Sequence, residues 1–466
     1  MDRLSEQPAP PGKTRIAFVD IGRSIAALLV VYSHIVHPWV QAKGEHAPVL
    51  DFVETFTSEP MHFAKQGIGQ IAVPFFFLVS GFIVTPIAIR QGHRKFALNR
   101  FIRVYAPLLF VLLLTSAALW AGLEPQTTGQ AQDLTPWTMF TNWTLVNYLI
   151  YPQVVLMPVA WTMIIEVLFY LILLALLPVL RRAVWLAIGI ELTFVFVVLT
   201  SRSALNESWS LFAVNVSYLP ILIIGQIIWA TTAKKIPLWA GGIFGTVAWM
   251  LYVFADIIDV GRIDTSYNLA MAIAVMFFLM GYFAEPKLRQ LRVWTALSER
   301  AYSIYLLHAL GIFVVLGLLR PAVPFAIALP IALLVTAALV EVSYRFVERP
   351  SHELARRLSR RVGAKRPPQP QDQGPTPSDS ATEFAAEITV ELPKIRMAQR
   401  PIRPQPAPSP QKPVSSQPGQ PSQPPQPRRP YPRPQPPRGQ PPGHQARAPR
   451  RPQIPATPPR RVPPNG

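Results

Sequence analysis

Residues 161–180 read WTMIIEVLFYLILLALLPVL, twenty residues carrying a single charge, Glu166. At 1.5 Å per residue a helix of that length is about 30 Å long, the thickness of the hydrocarbon core of a bilayer. Reading outward in windows of about 19 residues gives ten such stretches. They are roughly Ile16–Val36, Ile71–Ile89, Tyr105–Leu123, Trp161–Leu180, Val184–Thr200, Leu211–Trp229, Leu238–Phe254, Tyr267–Phe283, Ala301–Leu319 and Pro324–Phe346. Composition agrees: 15% of residues are charged and mean hydropathy is +0.27, whereas soluble domains carry about 25% charged residues. The fold class this predicts is an all-α polytopic membrane protein of about ten transmembrane helices. Gly241 and Gly245, in the seventh stretch, have the spacing of close helix packing.

The chain is made of two materials. Of 52 prolines, 31 lie between Pro367 and Pro464. From that point Pro, Gln, Ser and Arg dominate, and such a segment buries too little apolar area to fold. The expected division is therefore a 1–14 cytoplasmic segment, a 15–350 transmembrane body, a basic juxtamembrane 351–366 and a disordered Pro-rich 367–466 tail. One island in the tail, Glu383–Met397, carries Phe384, Ile388, Val390, Leu392 and Ile395. It is a candidate contact for a cytoplasmic protein partner, set against a solvated spacer. The tail would also be drawn to anionic lipid.

The net charge of +19 calls for a membrane account before a nucleic-acid one. Arg90, Arg94, Lys95, Arg100 and Arg103 fall between the second and third spans. Arg181–Arg182, Lys234–Lys235 and Lys287–Arg300 fall in the loops of the same parity. The long loop from Gly122 to Ala160 has no Lys or Arg. The positive-inside rule then puts both termini in the cytoplasm. The opening Met1–Lys13 is polar and Pro-rich and does not read as a signal peptide. There is no cysteine, which excludes disulfides, a thiolate nucleophile and Cys-ligated zinc. No phosphate-binding GxxxxGK[ST] loop, no dinucleotide fingerprint and no G-x-S-x-G elbow is present.

Charges inside apolar spans are costly, so they mark candidate sites. Asp20 and Arg23 are three residues apart on one helix face and read either as an internal ion pair or as site residues. His34 lies eleven residues beyond Arg23, near the same face and in the outer half of its span. Glu166 sits about a turn and a half from the outer end of its own span, at a similar depth. A His and a Glu at one depth suit an acid/base pair, or a structural hydrogen bond between helices. His34 and His37 are at i, i+3, which could suit a metal, but no matching carboxylate or histidine pair stands out elsewhere, and no metal is expected. Arg100 and Arg103, also at i, i+3, form a fork able to hold phosphates, or simply anchor the helix at the interface. Ser80-Gly81 and His308 could line a cavity or pack.

Together these strings resemble the membrane-integral acyltransferase 3 family, the large group of bacterial O-acyltransferases. The resemblance rests on Arg15-Ile-Ala-Phe-Val-Asp20-Ile-Gly-Arg23 through His34, Pro74-Phe-Phe-Phe-Leu-Val-Ser-Gly-Phe82, Arg100-x-x-Arg103, Trp161-Thr-x-x-x-Glu166-x-x-Phe-Tyr170, Ser303-Ile-Tyr-Leu-Leu-His308 and Tyr344-Arg-Phe-Val-Glu348-Arg-Pro350. It runs from about Arg15 to Pro350. Gly22 and Ser24 depart from the residues usual beside the first Arg, and the tail has no counterpart in the shared core.

The resemblance implies transfer of an acyl group, most often acetyl, from cytoplasmic acyl-CoA to a hydroxyl of an envelope glycan or glycolipid. It also implies a bacterial inner (plasma) membrane location. Arg100 and Arg103 would hold the CoA phosphates. His34 would act on the acceptor hydroxyl, with Glu166, Arg23 and Asp20 in support. Ser80, Trp161, Tyr170, Tyr305 and His308 would lie along the substrate path. The competing readings are a transporter or flippase of a lipid-linked carbohydrate, and a passive scaffold acting through its tail.

Overall fold

The computed structural model describes residues 15–63, 67–125, 133–262 and 267–363. The expectations for the 1–14 segment, for the 367–466 tail and for its 383–397 island lie outside these residues. Every regular element among the described residues is helical. The chain is a multi-pass membrane protein.

Among the described residues, nine stretches are long and apolar enough to cross a bilayer. The first is α1 (Ala17–Ile35), continued by a π turn, Val36–Gln41. After the short α2 (Pro48–Thr57) comes α3 (Ala72–Gln91), led in by a 3₁₀ turn at Gly67–Ile71. Next are α4 (His93–Trp120), a short α5 (Pro136–Thr144) and α6 (Trp161–Arg182). The fifth expected span is α7 (Val184–Thr200), apolar but only 17 residues and so not among the nine. It reaches about 25 Å, just under the usual span. The sixth expected span is two helices, α8 (Glu207–Val216) and α9 (Leu219–Thr232), broken at Ser217–Tyr218 ahead of Pro220. Then come α10 (Leu238–Ile257), α11 (Tyr267–Ala284), α12 (Arg292–Leu319), α13 (Phe325–Ser343) and, through a π turn at Tyr344–Glu348, α14 (Arg349–Gly363).

Two boundaries differ from the hydropathy reading in a way that matters. α4 starts at His93 rather than near Tyr105, directly after Gly92, whose φ of +79° turns the chain sharply. Arg100 and Arg103 therefore sit on a helix and not in a loop. The basic 351–366 stretch is helical as far as residue 363, and α14 packs along α4. Hydropathy windows stop at charges, whereas a helix carries long basic side chains past the apolar zone.

The basic segments gather at one end of the bundle. Glu285 accepts hydrogen bonds from the backbone N–H groups of Ala17 (2.9 Å) and Phe18 (2.8 Å). It thereby meets the donors that the first turn of α1 leaves unpaired. Arg181 donates to the carbonyl of Ile89 at 2.9 Å, joining the α6–α7 turn to the end of α3. Arg300 forks onto Glu341 at 2.6 and 3.1 Å. At the opposite end Arg320 forks onto Glu45, both contacts at 2.7 Å, and the N–H of Tyr151 donates to Ser208.

The tightest helix contact is not the expected one. A Cβ on Gly245 would meet nothing within 4 Å, and the nearest atoms to one on Gly241 would be those of the Thr231 side chain. The close approach is between α3 and α9. A Cβ on Gly81 would lie 1.8 Å from the Leu222 carbonyl oxygen, and one on Gly225 would lie 2.2 Å from that of Leu78. Small residues let two backbones touch in this way, and the contact holds α3 against the wall of the cavity described next.

Candidate active site

A cavity of about 160 Å³ opens beside α3, more than ten times what one water needs. Its α3 wall runs from Val73 to Ile87, fourteen residues or roughly 21 Å along the axis. Ser80 is at the midpoint of that wall. The rest of the lining includes Arg23 from α1, Arg100 and Arg103 from α4, Thr162, Glu166 and Tyr170 from α6, Tyr302 and Tyr305 from α12, Glu348 from the π turn, and His352 from α14. Most other lining residues are apolar. The charged groups thus face a shared void, as intramembrane charges must if they are not to meet lipid.

Glu166, Glu348 and Arg100 are each held by neighbouring side chains. The Glu166 carboxylate accepts hydrogen bonds from Ser80 Oγ at 2.5 Å and from Tyr170 OH at 3.0 Å. Glu348, 3% exposed, accepts one from Ser303 Oγ at 2.6 Å. The Arg100 guanidinium lies over the rings of Phe96 and Tyr170, 5.5 Å from each centroid. Such stacking orients a guanidinium while leaving its edge for an anion.

The expected Asp20–Arg23 pair does not form. Asp20 is fully buried and bound by Arg15, at 3.0 and 3.3 Å, and by Gln290 at 2.5 Å. Arg15 also reaches Glu299 at 2.6 Å. Asp20 is therefore a knot between the start of α1 and the start of α12. Arg15, five residues away, reaches both carboxylate oxygens and outcompetes Arg23. Arg23 makes no hydrogen bond or ion pair among the described residues. It lines the cavity within electrostatic reach of Arg103, Glu348 and Glu166.

The expected His34–Glu166 pair does not form either. Glu166 is engaged as described, and His34 faces His308, with ring centroids 4.6 Å apart and planes at 79°. His34 Nδ1 lies 2.9 Å from the carbonyl of Val30. His308 Nδ1 lies 3.1 and 2.8 Å from the carbonyls of Ile304 and Tyr305. A carbonyl only accepts, so in each neutral ring Nδ1 carries the hydrogen and Nε2 presents its lone pair. His308 is wholly buried, and its Nε2 has no hydrogen-bond partner. The ring of His308 is 6.0 Å from that of Tyr305. Tyr305 accepts from Thr162 Oγ1 at 2.7 Å and donates to the carbonyl of Val159 at 2.9 Å. The histidine pair thus stands behind the Tyr305 wall, one ring from the void.

Of the residues expected on a substrate path, Ser80, Tyr170 and Tyr305 line this cavity. His308 belongs to the histidine pair. Trp161 instead packs against Tyr218, ring centroids 5.0 Å apart and planes tilted at 56°, and its neighbour Thr162 takes the cavity position. His37 does not share a partner with His34. It contacts Gln41 at 2.8 Å and Glu54 at 3.3 Å. Sequence reasoning missed Tyr302, Glu348 and His352 as cavity residues. The available signal was a Glu and a His four apart at the end of the last span, hence on one helical face.

No curated protein and no solved structure matches the chain. The acyltransferase 3 family model, described as an acyltransferase domain, matches residues 16–343, which takes in α1 to α13 and every cavity residue above except Glu348 and His352. The chain belongs to the acyltransferase 3 family of membrane acyltransferases.

Proposed function

We propose that the protein moves an acyl group, acetyl foremost, from cytoplasmic acyl-CoA to a hydroxyl of a cell-envelope glycan or glycolipid. The observation that supports this most is the layout of charge in the cavity. Three guanidiniums, Arg23, Arg100 and Arg103, line it with two carboxylates, Glu166 and Glu348, so its formal charge is positive. That surplus of guanidinium suits the phosphates of a CoA thioester entering from the basic end. The positive-inside reading of the same end makes it cytoplasmic, with the protein in the bacterial inner membrane and both termini inside.

In this reading Arg100 and Arg103 hold the phosphates, and the pantetheine arm extends along α3 toward Ser80. The acceptor hydroxyl approaches from the other side, toward His34. His34 Nε2 takes the hydroxyl proton as the oxygen attacks the thioester carbonyl. The carbon–sulfur bond breaks, the CoA thiolate leaves, and the imidazolium returns the proton to it. Arg23 faces the developing negative charge on the carbonyl oxygen. Glu166, positioned by Ser80 and Tyr170, orients the arm of the donor.

The test is purified protein in detergent with acetyl-CoA labelled in the acetyl group. Label should appear in water or acceptor in proportion to enzyme. Replacing both Arg100 and Arg103 by Lys preserves charge but removes the fork, and should raise the apparent Kd for acetyl-CoA by roughly ten- to a hundredfold. Absence of label transfer and of acetyl-CoA binding in folded wild-type protein would overturn the reading.

A further inference from the structure

Beyond the cavity, α14 carries polar groups that the reaction as described does not use. His352, Arg356 and Ser359 are spaced i, i+4, i+7 and share one face of the helix. His352 lines the cavity. Arg356 lies within electrostatic reach of His352, together with Arg23, Arg100 and Arg103. Arg356 Nη1 and Ser359 Oγ are both buried and have no hydrogen-bond partner among the described residues. An interfacial anchor keeps its charged head in water, as the exposed Arg357 does on the same helix. A buried guanidinium donor and a buried hydroxyl left unmet carry the desolvation cost of both groups with nothing in return. Arg356 adds a fourth guanidinium near His352 to the three that line the cavity with Glu166 and Glu348.

We propose that Arg356 and Ser359 form a second anion subsite that takes the 3′-phosphate of the CoA donor. This rests on the reading of the cavity as an acyl-CoA site. Along the axis of α14, Arg356 lies about 6 Å and Ser359 about 10 Å beyond His352, past the last residue of the helix that lines the cavity. In a CoA thioester the diphosphate comes first from the sulfur and the 3′-phosphate of the ribose lies farther out. The order along the site is the same: Arg100 and Arg103 for the diphosphate, Arg356 and Ser359 for the terminal phosphomonoester. A phosphomonoester dianion offers the several acceptors that a guanidinium fork and a hydroxyl can share. An anionic lipid headgroup has the same chemistry, and the experiment separates the two.

Full-length protein in nanodiscs of neutral lipid is titrated with CoA and with 3′-dephospho-CoA. The wild type should bind CoA roughly ten- to a hundredfold more tightly. Arg356→Gln should abolish that preference by weakening CoA alone, with the affinity for 3′-dephospho-CoA kept. Ser359→Ala should reduce the preference in part, and Arg356→Lys should keep more of it than Arg356→Gln. A wild type that does not distinguish the two compounds overturns the subsite and leaves the donor site standing. So does an Arg356→Gln protein that keeps the wild-type ratio, or one weakened equally for both compounds with a dependence on added anionic lipid, the signature of a headgroup site. A wild type that binds neither compound overturns both the donor reading and the subsite. Binding of 3′-dephospho-CoA by Arg356→Gln reports that it is folded. If it binds nothing, Arg356→Lys and Ser359→Ala decide, and unchanged ratios in both overturn the subsite.

Discussion

Removing the Ser80 hydroxyl tests whether Glu166 works from a fixed position. Ser80 Oγ donates to Glu166 Oε1 at 2.5 Å, and the second donor, Tyr170 OH, lies at 3.0 Å on the other oxygen. Ser80→Ala removes the shorter bond and one oxygen atom, a small change of volume beside a cavity. A hydrogen bond to a charged group is worth about 1.5–3 kcal/mol. If all of it acts on the reacting geometry, kcat should fall by roughly ten- to a hundred-and-fiftyfold. Ser80 is not among the residues proposed to hold the donor's phosphates, so the apparent KM for acyl-CoA should stay near the wild-type value. Tyr170→Phe removes the longer bond and also alters the ring beneath Arg100, so it should lower kcat and raise the KM for acyl-CoA together. The double variant leaves the carboxylate without either donor and should approach Glu166→Gln in rate. The assay is initial-rate transfer of labelled acetyl from acetyl-CoA, with membrane-extracted protein quantified for each variant. If Ser80→Ala retains the wild-type kcat in normally folded protein, Glu166 is not held in place by Ser80 for the reaction, and the positioning argument fails.

The histidine pair predicts that His34→Ala abolishes transfer at near-normal protein levels, while His308→Ala retains a reduced kcat. Equal and complete loss in both would make His308 the reacting base as much as His34, by the same rate assay. Asp20 and Arg23 should separate cleanly. Asp20→Ala breaks a buried knot and should cost about 3–5 kcal/mol of stability, read as lost thermal stability in detergent, whereas Arg23→Gln should fold normally and lose activity. Gly225→Ala forces a Cβ to 2.2 Å from the Leu78 carbonyl oxygen. Overpacking of this kind costs at least 1–3 kcal/mol, so the variant should yield little folded protein on size exclusion, while Gly242→Ala should be neutral.

The order of the apolar spans was legible in the sequence, because a chain in hydrocarbon must satisfy every backbone group within itself and so writes each span as a local apolar run. The residues that would be costly in lipid were legible for the same reason: Arg23, Glu166, Arg100 and Arg103 all proved to line one cavity. Their partners were not. Asp20 bonds to Arg15 and to Gln290, 270 positions away, rather than to Arg23. His34 meets His308 rather than Glu166. Depth can be counted along a helix at 1.5 Å per residue, but the rotation of one helix against another depends on packing that no single span records. Here it is set by contacts such as Gly81 against Leu222 and Gly225 against Leu78. Glu348 and His352 entered the site only because the π turn at Tyr344–Glu348 and the laying of α14 along α4 bring the end of the body back to the cavity. The sequence by itself determined which side chains needed shelter from lipid, and the tertiary structure decided which of them share it, because pairing across helices is a matter of rotation and distance in space.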